Sequence, residues 1–178
     1  MAINPNRVRV GIAALALSAA GFVGIVLHEG YTDRAVIPVP GDVPTIGFGT
    51  TEGVKLGDRT TPPQALQRTL QDMAKYEGSV KRCVRVPLTQ GEYDAYISLA
   101  ENIGSTAFCE STLVVKLNEL DYAAGCQHIE DFVCGPATEA TRAKPGQRCY
   151  SKTRPRREIA GLVRRRAAER ALCLEGVR

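Results

Sequence analysis

From Val10 to Leu27 the chain reads VGIAALALSAAGFVGIVL, eighteen residues without a charge, preceded by Arg7 and Arg9. As one helix at ~1.5 Å per residue it would be about 27 Å long, just enough for a bilayer core of roughly 30 Å. Half of its positions are Ala, Gly or Ser, which gain little from lipid, so the pattern predicts a helix whose insertion is only marginally favourable. The pattern then changes. Residues Pro38 to Thr51 are rich in Pro and Gly, with Val39, Val43, Ile46 and Phe48 between them, which predicts a small β-hairpin or three-stranded ribbon. Beyond it the periodicity is helical. "TPPQ" at Thr61 to Gln64 has the form of a capping box with proline at the first helical position, and Leu66, Leu70 and Met73 then share one face. "TQGE" at Thr89 to Glu92 is a second capping box, opening a helix with Tyr93, Tyr96, Ile97 and Ala100 inward. Ser111 and Asp121 start two more helices, and Pro155 leads into "REIAGLVRRRAAERALCLEG", stopped by Gly176. The expected class is α+β, mostly helical, with one small β element near the front.

At 178 residues with 44% apolar composition, the chain is long enough for one domain with a real core, built as two small lobes, and its composition excludes disorder. The net charge of +4 is unevenly placed. From Arg142 to Arg178 twelve Lys/Arg face three Asp/Glu, while the remainder is slightly acidic. A basic end suggests a polyanionic partner, anionic lipid or cell wall, with nucleic acid as the rival on charge alone. Six cysteines, Cys83, Cys109, Cys126, Cys134, Cys149 and Cys173, include no close C-x-x-C pair, and only two histidines are present. No metal site is expected; up to three disulfides in an oxidising compartment are, with buried free thiols of a cytosolic protein as the alternative. Cys134 with Cys149 is the expected pair, because the Gly/Pro-containing "GPATEATRAKPGQR" between them looks like an inserted loop needing closure. The pairing of Cys83, Cys109, Cys126 and Cys173 stays open.

Three fates fit the apolar segment: an anchor released later, a secretory signal cut near Ser18 to Ala20, or a permanent anchor. The basic residues before it would stay cytoplasmic and leave the rest of the chain outside. A cut near Ala20 would strand Glu29 close to a frayed terminus, a poor place for a positioned acid, so the reading favours keeping the segment. Glu29 is the candidate for chemistry. Glycosidic cleavage needs a carboxylic acid to protonate the leaving oxygen and a second polar group to position water or steady the developing charge. The preceding "IVLH" would wall Glu29 with apolar groups and favour its protonated form. Asp42 and Thr45, in the β element beyond, are candidates for the second group. His28 and His128 read as packing or surface residues; the arginines from Arg154 to Arg170 could pair with core acids or face an anionic wall, and most read as solvated helix surface.

The segments "HEGY", "VPTIGFGTT", "VPLTQGEYDAYISLAENIG", "STLVVKLN" and "GLVRRRAAERALCLEG" occur in an order that resembles the phage-type lysozymes of glycoside hydrolase family 24. With the N-terminal segment, the chain is similar to their signal-arrest-release endolysins, from bacteriophages of Gram-negative hosts. The resemblance implies a lysozyme-like two-lobed fold: residues 1–27 as signal-anchor, 28–60 as catalytic helix end and hairpin, and 61–178 as helical lobe. It implies a muramidase hydrolysing the β-1,4 bond between N-acetylmuramic acid and N-acetylglucosamine. Glu29 and Thr45 carry over as catalytic residues. The family's aspartate falls nine residues after the glutamate and six before the threonine, which here are Pro38 and Val39. Either Asp42 serves from a remodelled hairpin or Thr45 positions the water alone; the reading takes Asp42. The histidine often found after the glycine-rich turn is replaced by Thr50. Asn102, in the family's "NIG" corner, and Gly47 are candidate substrate contacts. No cofactor is implied. The implied partners are peptidoglycan, the host Sec machinery and, before release, the inner membrane through residues 10–27. The chain would act as a monomer, without nucleic acid, first tethered on the periplasmic side and then free in the periplasm. A wall-binding protein without activity and a lytic transglycosylase are the alternatives.

Overall fold

Helix α3, Gln90–Ile103, is the axis of the molecule: its residues Gly91 through Ala100 are all buried. The capping box expected at Thr89 forms, with Thr89 Oγ1 accepting from Glu92 N at 3.2 Å and Glu92 Oε2 accepting from Thr89 N at 2.8 Å. A helix enclosed on every side buries polar groups along with apolar ones, and each must find a partner. Glu92 is met by Arg9 at 2.6 Å, Asp94 by Ser18, and Ser98 by Glu169. The computed structural model describes residues 8–38 and 41–177, so Arg7, Val39 and Arg178 lie outside the described residues.

Around α3 stand α1 (Ala19–Glu29), α2 (Pro62–Cys83), α4 (Ser105–Cys109), α5 (Thr112–Asn118), α6 (Tyr122–Gln127) and α7 (Ala160–Glu175). Among the described residues two antiparallel pairs complete the fold: β1 (Thr32–Val36) with β2 (Thr45–Gly47), and β3 (Cys134–Pro136) with β4 (Arg156–Glu158). The mostly helical α+β class and the lysozyme-like front β lobe are present as expected. The second pair was not foreseen, because three-residue strands leave no alternation to read. It forms where Cys134 is bonded to Cys149 and the chain returns. In consequence α7 begins at Ala160 and not after Pro155, since Arg156–Glu158 is spent on β4. The front ribbon also starts earlier than expected, at Thr32, and Pro38 and residues 41–44 belong to no strand. The other disulfides join Cys83 to Cys109 and Cys126 to Cys173.

The expected face of α2 is wrong. Leu66 and Leu70 are 37% and 54% exposed, and the buried stripe is Ala65, Thr69, Met73 and Val80. The reason is close approach: Gly47 sits so near α2 that a Cβ there would lie 2.8 Å from Ala65 Cβ. A larger residue than alanine does not fit the contact, so the small side chain faces inward and the leucines outward.

The apolar segment is not one helix. It forms a 3-10 turn at Ile12–Ala14, runs extended through Leu15 to Ser18, and becomes helical only from Ala19. Among the described residues no helix is long and apolar enough to cross a membrane. Instead the segment is part of the core: Leu15 and Ile25 are buried, with Ile12, Leu17 and Phe22 packed beside them. Burying an aliphatic side chain is worth about 2 kcal/mol, so the apolar residues find in α3 what they would otherwise find in lipid. The small residues have a packing role as well. Ser18 caps α1 by accepting from Gly21 N at 2.9 Å, and its hydroxyl and N–H donate to Asp94 at 2.5 and 3.0 Å. A Cβ on Gly21 would fall 2.7 Å from Asp94 Cγ. The proposed division at residue 27 thus falls inside α1.

Candidate active site

Glu29 is the last residue of α1, and the chain leaves the helix through Gly30 at φ 64°. L side chains rarely adopt that region, so the glycine lets the chain turn at once into β1. The front lobe then folds back over the acid. At Gly49, φ 88°, an added Cβ would stand 3.1 Å from Glu29 Oε2, so the "GFG" turn brings bare backbone against the carboxyl. Tyr31 and Phe48 pack with ring centroids 5.2 Å apart, and Thr50 Oγ1 donates to Asp72 at 2.9 Å, tying the lobe to α2. Thr50, standing where the family often has histidine, has an anchoring contact.

Where an apolar wall was expected, the polar partner of Glu29 is a guanidinium. Arg165 Nη1 donates to Glu29 Oε1 at 2.8 Å. The Arg165 side chain is 7% exposed against 23% for Glu29, so the pair sits at the mouth of the interior with the acid on the solvent side. Arg165 also donates from Nη2 to Glu101 at 2.6 Å and to the Ser98 carbonyl at 3.1 Å, and from Nε to Glu169 at 3.2 Å. Glu169 takes the Ser98 hydroxyl at 2.6 Å and Arg166 Nη2 at 3.3 Å. Burial works against the Arg165 charge, but Glu101, Glu169 and Glu29 outweigh it and hold the guanidinium above its ordinary range. Burial pushes the Glu101 carboxyl up, and Glu29 adds to the push while Arg165 opposes it. Burial lowers Arg166.

The arginines of α7 are therefore not all solvated: Arg165 and Arg166 are core residues. A sign of this was present in the sequence, since Arg165 and Glu169 are four apart on one helix and Arg166 and Glu169 three apart. What periodicity could not supply was the partner across space. His28 is exposed, and His128 pairs with Asp131 at 2.7 Å.

Asp42 is exposed, and its carboxylate accepts from the next backbone N–H, Val43, at 2.8 Å. Thr45 Oγ1 donates to the Val43 carbonyl at 3.2 Å and is half-buried. Both lie on the loop-and-strand unit that carries Gly49 to Glu29; neither bonds to Glu29. Gly47, at φ 66°, turns its Cα toward α2. Asn102 accepts from Arg166 Nη2 at 3.0 Å and lines a cavity of about 490 Å³ with Ile103, Phe132 and Leu162. The corner beyond it is made by Gly104 at φ 87°. A cavity of about 570 Å³ beside Cys83 and Cys109 shares no residue with the carboxylate cluster; the charges, not the volume, locate the site. An arginine-held, part-exposed carboxyl, with a hydroxyl and a second carboxylate on the unit that carries Gly49 to it, has the group types that acid-assisted cleavage of a polar polymer needs.

Comparison with known proteins gives the family. The Phage lysozyme family model matches residues 27–169. The SAR-endolysin of Pseudomonas phage phiKMV is 36% identical over 163 residues, covering 92% of this chain and 89% of that protein. The endolysin of Acyrthosiphon pisum secondary endosymbiont phage 1 is 35% identical over 156 residues, covering 88% and 96%. Among solved structures, the muramidase domain of SpmX from Asticaccaulis excentricus superposes with a TM-score of 0.75 at 29% identity, covering 89% of this chain and 97% of that one. On a match that runs from the end of α1 into α7, the chain belongs to the phage lysozyme family.

Proposed function

We propose that this chain is a phage endolysin with muramidase activity that cuts the β-1,4 bond between N-acetylmuramic acid and N-acetylglucosamine in peptidoglycan. The observation that carries the reading is Glu29, delivered by the end of α1 to the mouth of the interior and held there by Arg165, in a chain of the phage lysozyme family. In this mechanism Glu29 protonates the leaving glycosidic oxygen. Thr45 orients the attacking water, and Asp42, released from Val43 N, accepts its proton or faces the developing positive charge.

The relatives named SAR-endolysins support a membrane-tethered stage, with the chain held on the periplasmic side of the inner membrane and then freed into the periplasm. Residues 10–27 would span the bilayer while tethered. They cannot then supply Leu15 and Ile25 to the core, and α1 cannot bring Glu29 to Arg165, so the tethered chain lacks its acid. Release returns the segment to α3. If removing residues 1–27 leaves wall-degrading activity undiminished, this coupling is wrong while the enzyme reading survives.

The test is digestion of purified Gram-negative peptidoglycan by the full-length protein under oxidising, detergent-free conditions, with mass spectrometry of the products. Reducing muramic ends, absent with Glu29→Gln, are expected. Anhydromuramic ends would indicate a transglycosylase, and no cleavage by the wild type would leave a wall-binding protein. Asp42→Asn and Thr45→Ala, run in parallel, assign the second group: loss in Thr45→Ala marks the hydroxyl that orients the water, and loss in Asp42→Asn marks the carboxylate as base or charge stabiliser.

A further inference from the structure

Across Leu15 to Ser18 the apolar segment is extended, with Leu15 at φ −87°, ψ 147° and Ser18 at φ −71°, ψ 158°. Side chains of the helical lobe hold its backbone there. Leu17 N donates to Glu77 Oε1 on α2 at 2.9 Å, and Ser18 N donates to Asp94 Oδ1 on α3 at 3.0 Å. The Ala16 carbonyl accepts from Gln90 Nε2 on α3 at 2.9 Å. The three side chains are themselves fixed. Gln90 Nε2 also donates to Asp94 Oδ1 at 2.9 Å, and the Tyr93 hydroxyl donates to Glu77 Oε1 at 2.8 Å. Asp94 takes the Ser18 hydroxyl as well, and Gly21 leaves it the room to do so.

In a continuous helix the same backbone groups have other partners. Leu17 N would donate to the Ala13 carbonyl, Ser18 N to the Ala14 carbonyl, and the Ala16 carbonyl would accept from Ala20 N. A spanning helix must make those bonds, because lipid offers no alternative partner. Each of the two N–H groups can therefore serve a membrane-spanning form or the docked form, not both. Contacts of this kind move an equilibrium, whereas a contact made equally in two states shifts nothing. The aliphatic side chains discriminate less, since lipid receives them much as α3 does.

We propose that Glu77, Gln90 and Asp94 form a dock that recognises residues 15–18 only in their non-helical form, and so set the balance between the membrane-spanning and the docked segment. The three are positioning residues for Glu29, since α1 begins at the stretch they hold and ends at the acid. This rests on the reading of residues 10–27 as the bilayer span of a tethered stage.

The experiment is flotation of the full-length, disulfide-intact protein with vesicles of phosphatidylethanolamine and phosphatidylglycerol, for the wild type, Glu77→Ala, Gln90→Ala and Asp94→Ala. None of these changes alters the apolar segment, so its own affinity for lipid is constant and a shift belongs to the dock. Hydrogen bonds to carboxylates are the stronger ones. The ratio of lipid-bound to free protein should therefore rise about tenfold in Glu77→Ala and Asp94→Ala, and about fivefold in Gln90→Ala. Added vesicles should also inhibit peptidoglycan cleavage by the variants more than by the wild type, because the membrane form does not bring Glu29 to Arg165. Val114→Ala, buried on α5, controls for lost stability alone and should leave the ratio at the wild-type value. Ratios unchanged in all three dock variants, or raised equally in Val114→Ala, overturn the proposal. Gln90 is half-buried, so Gln90→Ala decides the matter where loss of the buried Asp94 prevents folding. Flotation requires no activity: if Glu29→Gln still cleaves, the muramidase reading fails and the lipid ratios still judge the dock. In cells fractionated early in expression, a wholly soluble wild type refutes the tethered stage on which the dock depends. A tethered wild type with unchanged vesicle ratios in the variants refutes the dock alone.

Discussion

If the apolar N-terminal segment is a working part of the folded enzyme, deleting buried atoms from it must cost what deleting them from any core costs. Ile25 is the test position, at 1% exposure within the main apolar cluster. Ile25→Ala removes three carbons, worth about 0.8 kcal/mol each in transfer, or about 2.4 kcal/mol. The void adds to this. Ile25 already borders a cavity of about 260 Å³ between α1, α3 and α7, so the neighbours are not positioned to close over the gap, and about 1 kcal/mol more is expected. The total of about 3.5 kcal/mol corresponds to a fall in Tm of roughly 10 °C for a domain of this size. The assay is urea unfolding of the full-length, disulfide-intact protein without detergent, followed by circular dichroism. Leu27→Ala is the control: it lies on the same helix, is 78% exposed, and should change stability by no more than about 0.5 kcal/mol. A cost below about 1 kcal/mol for Ile25→Ala, or equal costs for the two, would refute the docking of α1 against α3 in the folded protein.

Three other outcomes are expected. Gly49→Ala places a Cβ 3.1 Å from Glu29 Oε2 on a backbone at φ 88°, so it should strain the turn by about 1 kcal/mol and displace the acid; a turbidity assay should show a loss of about tenfold, and wild-type rates would sink the reading. Cys134→Ser with Cys149→Ser opens a loop with a sequence separation of 15, which in the loop-entropy model costs about 3 kcal/mol, measurable as a lower Tm by calorimetry. Glu101 supplies a stability test of definite sign. Burial first, and then Glu29, hold its folded-state value above the ordinary 4.5, so its contribution is fully present below about pH 4.5 and lost as pH rises through the raised folded value. Glu101→Gln lacks that dependence. Urea unfolding at successive pH values should therefore show the wild type losing ground to the variant as pH rises above about 4.5, and a constant difference would contradict the sign.

The chain order alone specified the parts that depend on neighbours in sequence. Thr89 with Glu92, Ser111 and Asp121 start their helices because a side-chain oxygen and an N–H two or three residues later are all a cap requires. Tyr93, Tyr96 and Ile97 are buried because α3 is apolar enough to be enclosed. Glu29 was legible for a similar reason: an acid just after an apolar run and before a glycine turn is a local pattern. What needed the tertiary structure were the meetings of residues far apart in the chain. Arg165 reaches Glu29 across 136 positions and Glu101 across 64, and no periodicity within α7 names those partners. The same holds for Leu66 and Leu70, which a hydrophobic pattern puts inside and the close approach of Gly47 to Ala65 turns outside. The apolar segment shows the division best. Its sequence states only that residues 10–27 avoid water, and lipid or α3 satisfies that equally; the Asp94 carboxylate and the space at Gly21, on separate elements, decide that in the folded enzyme it is α3.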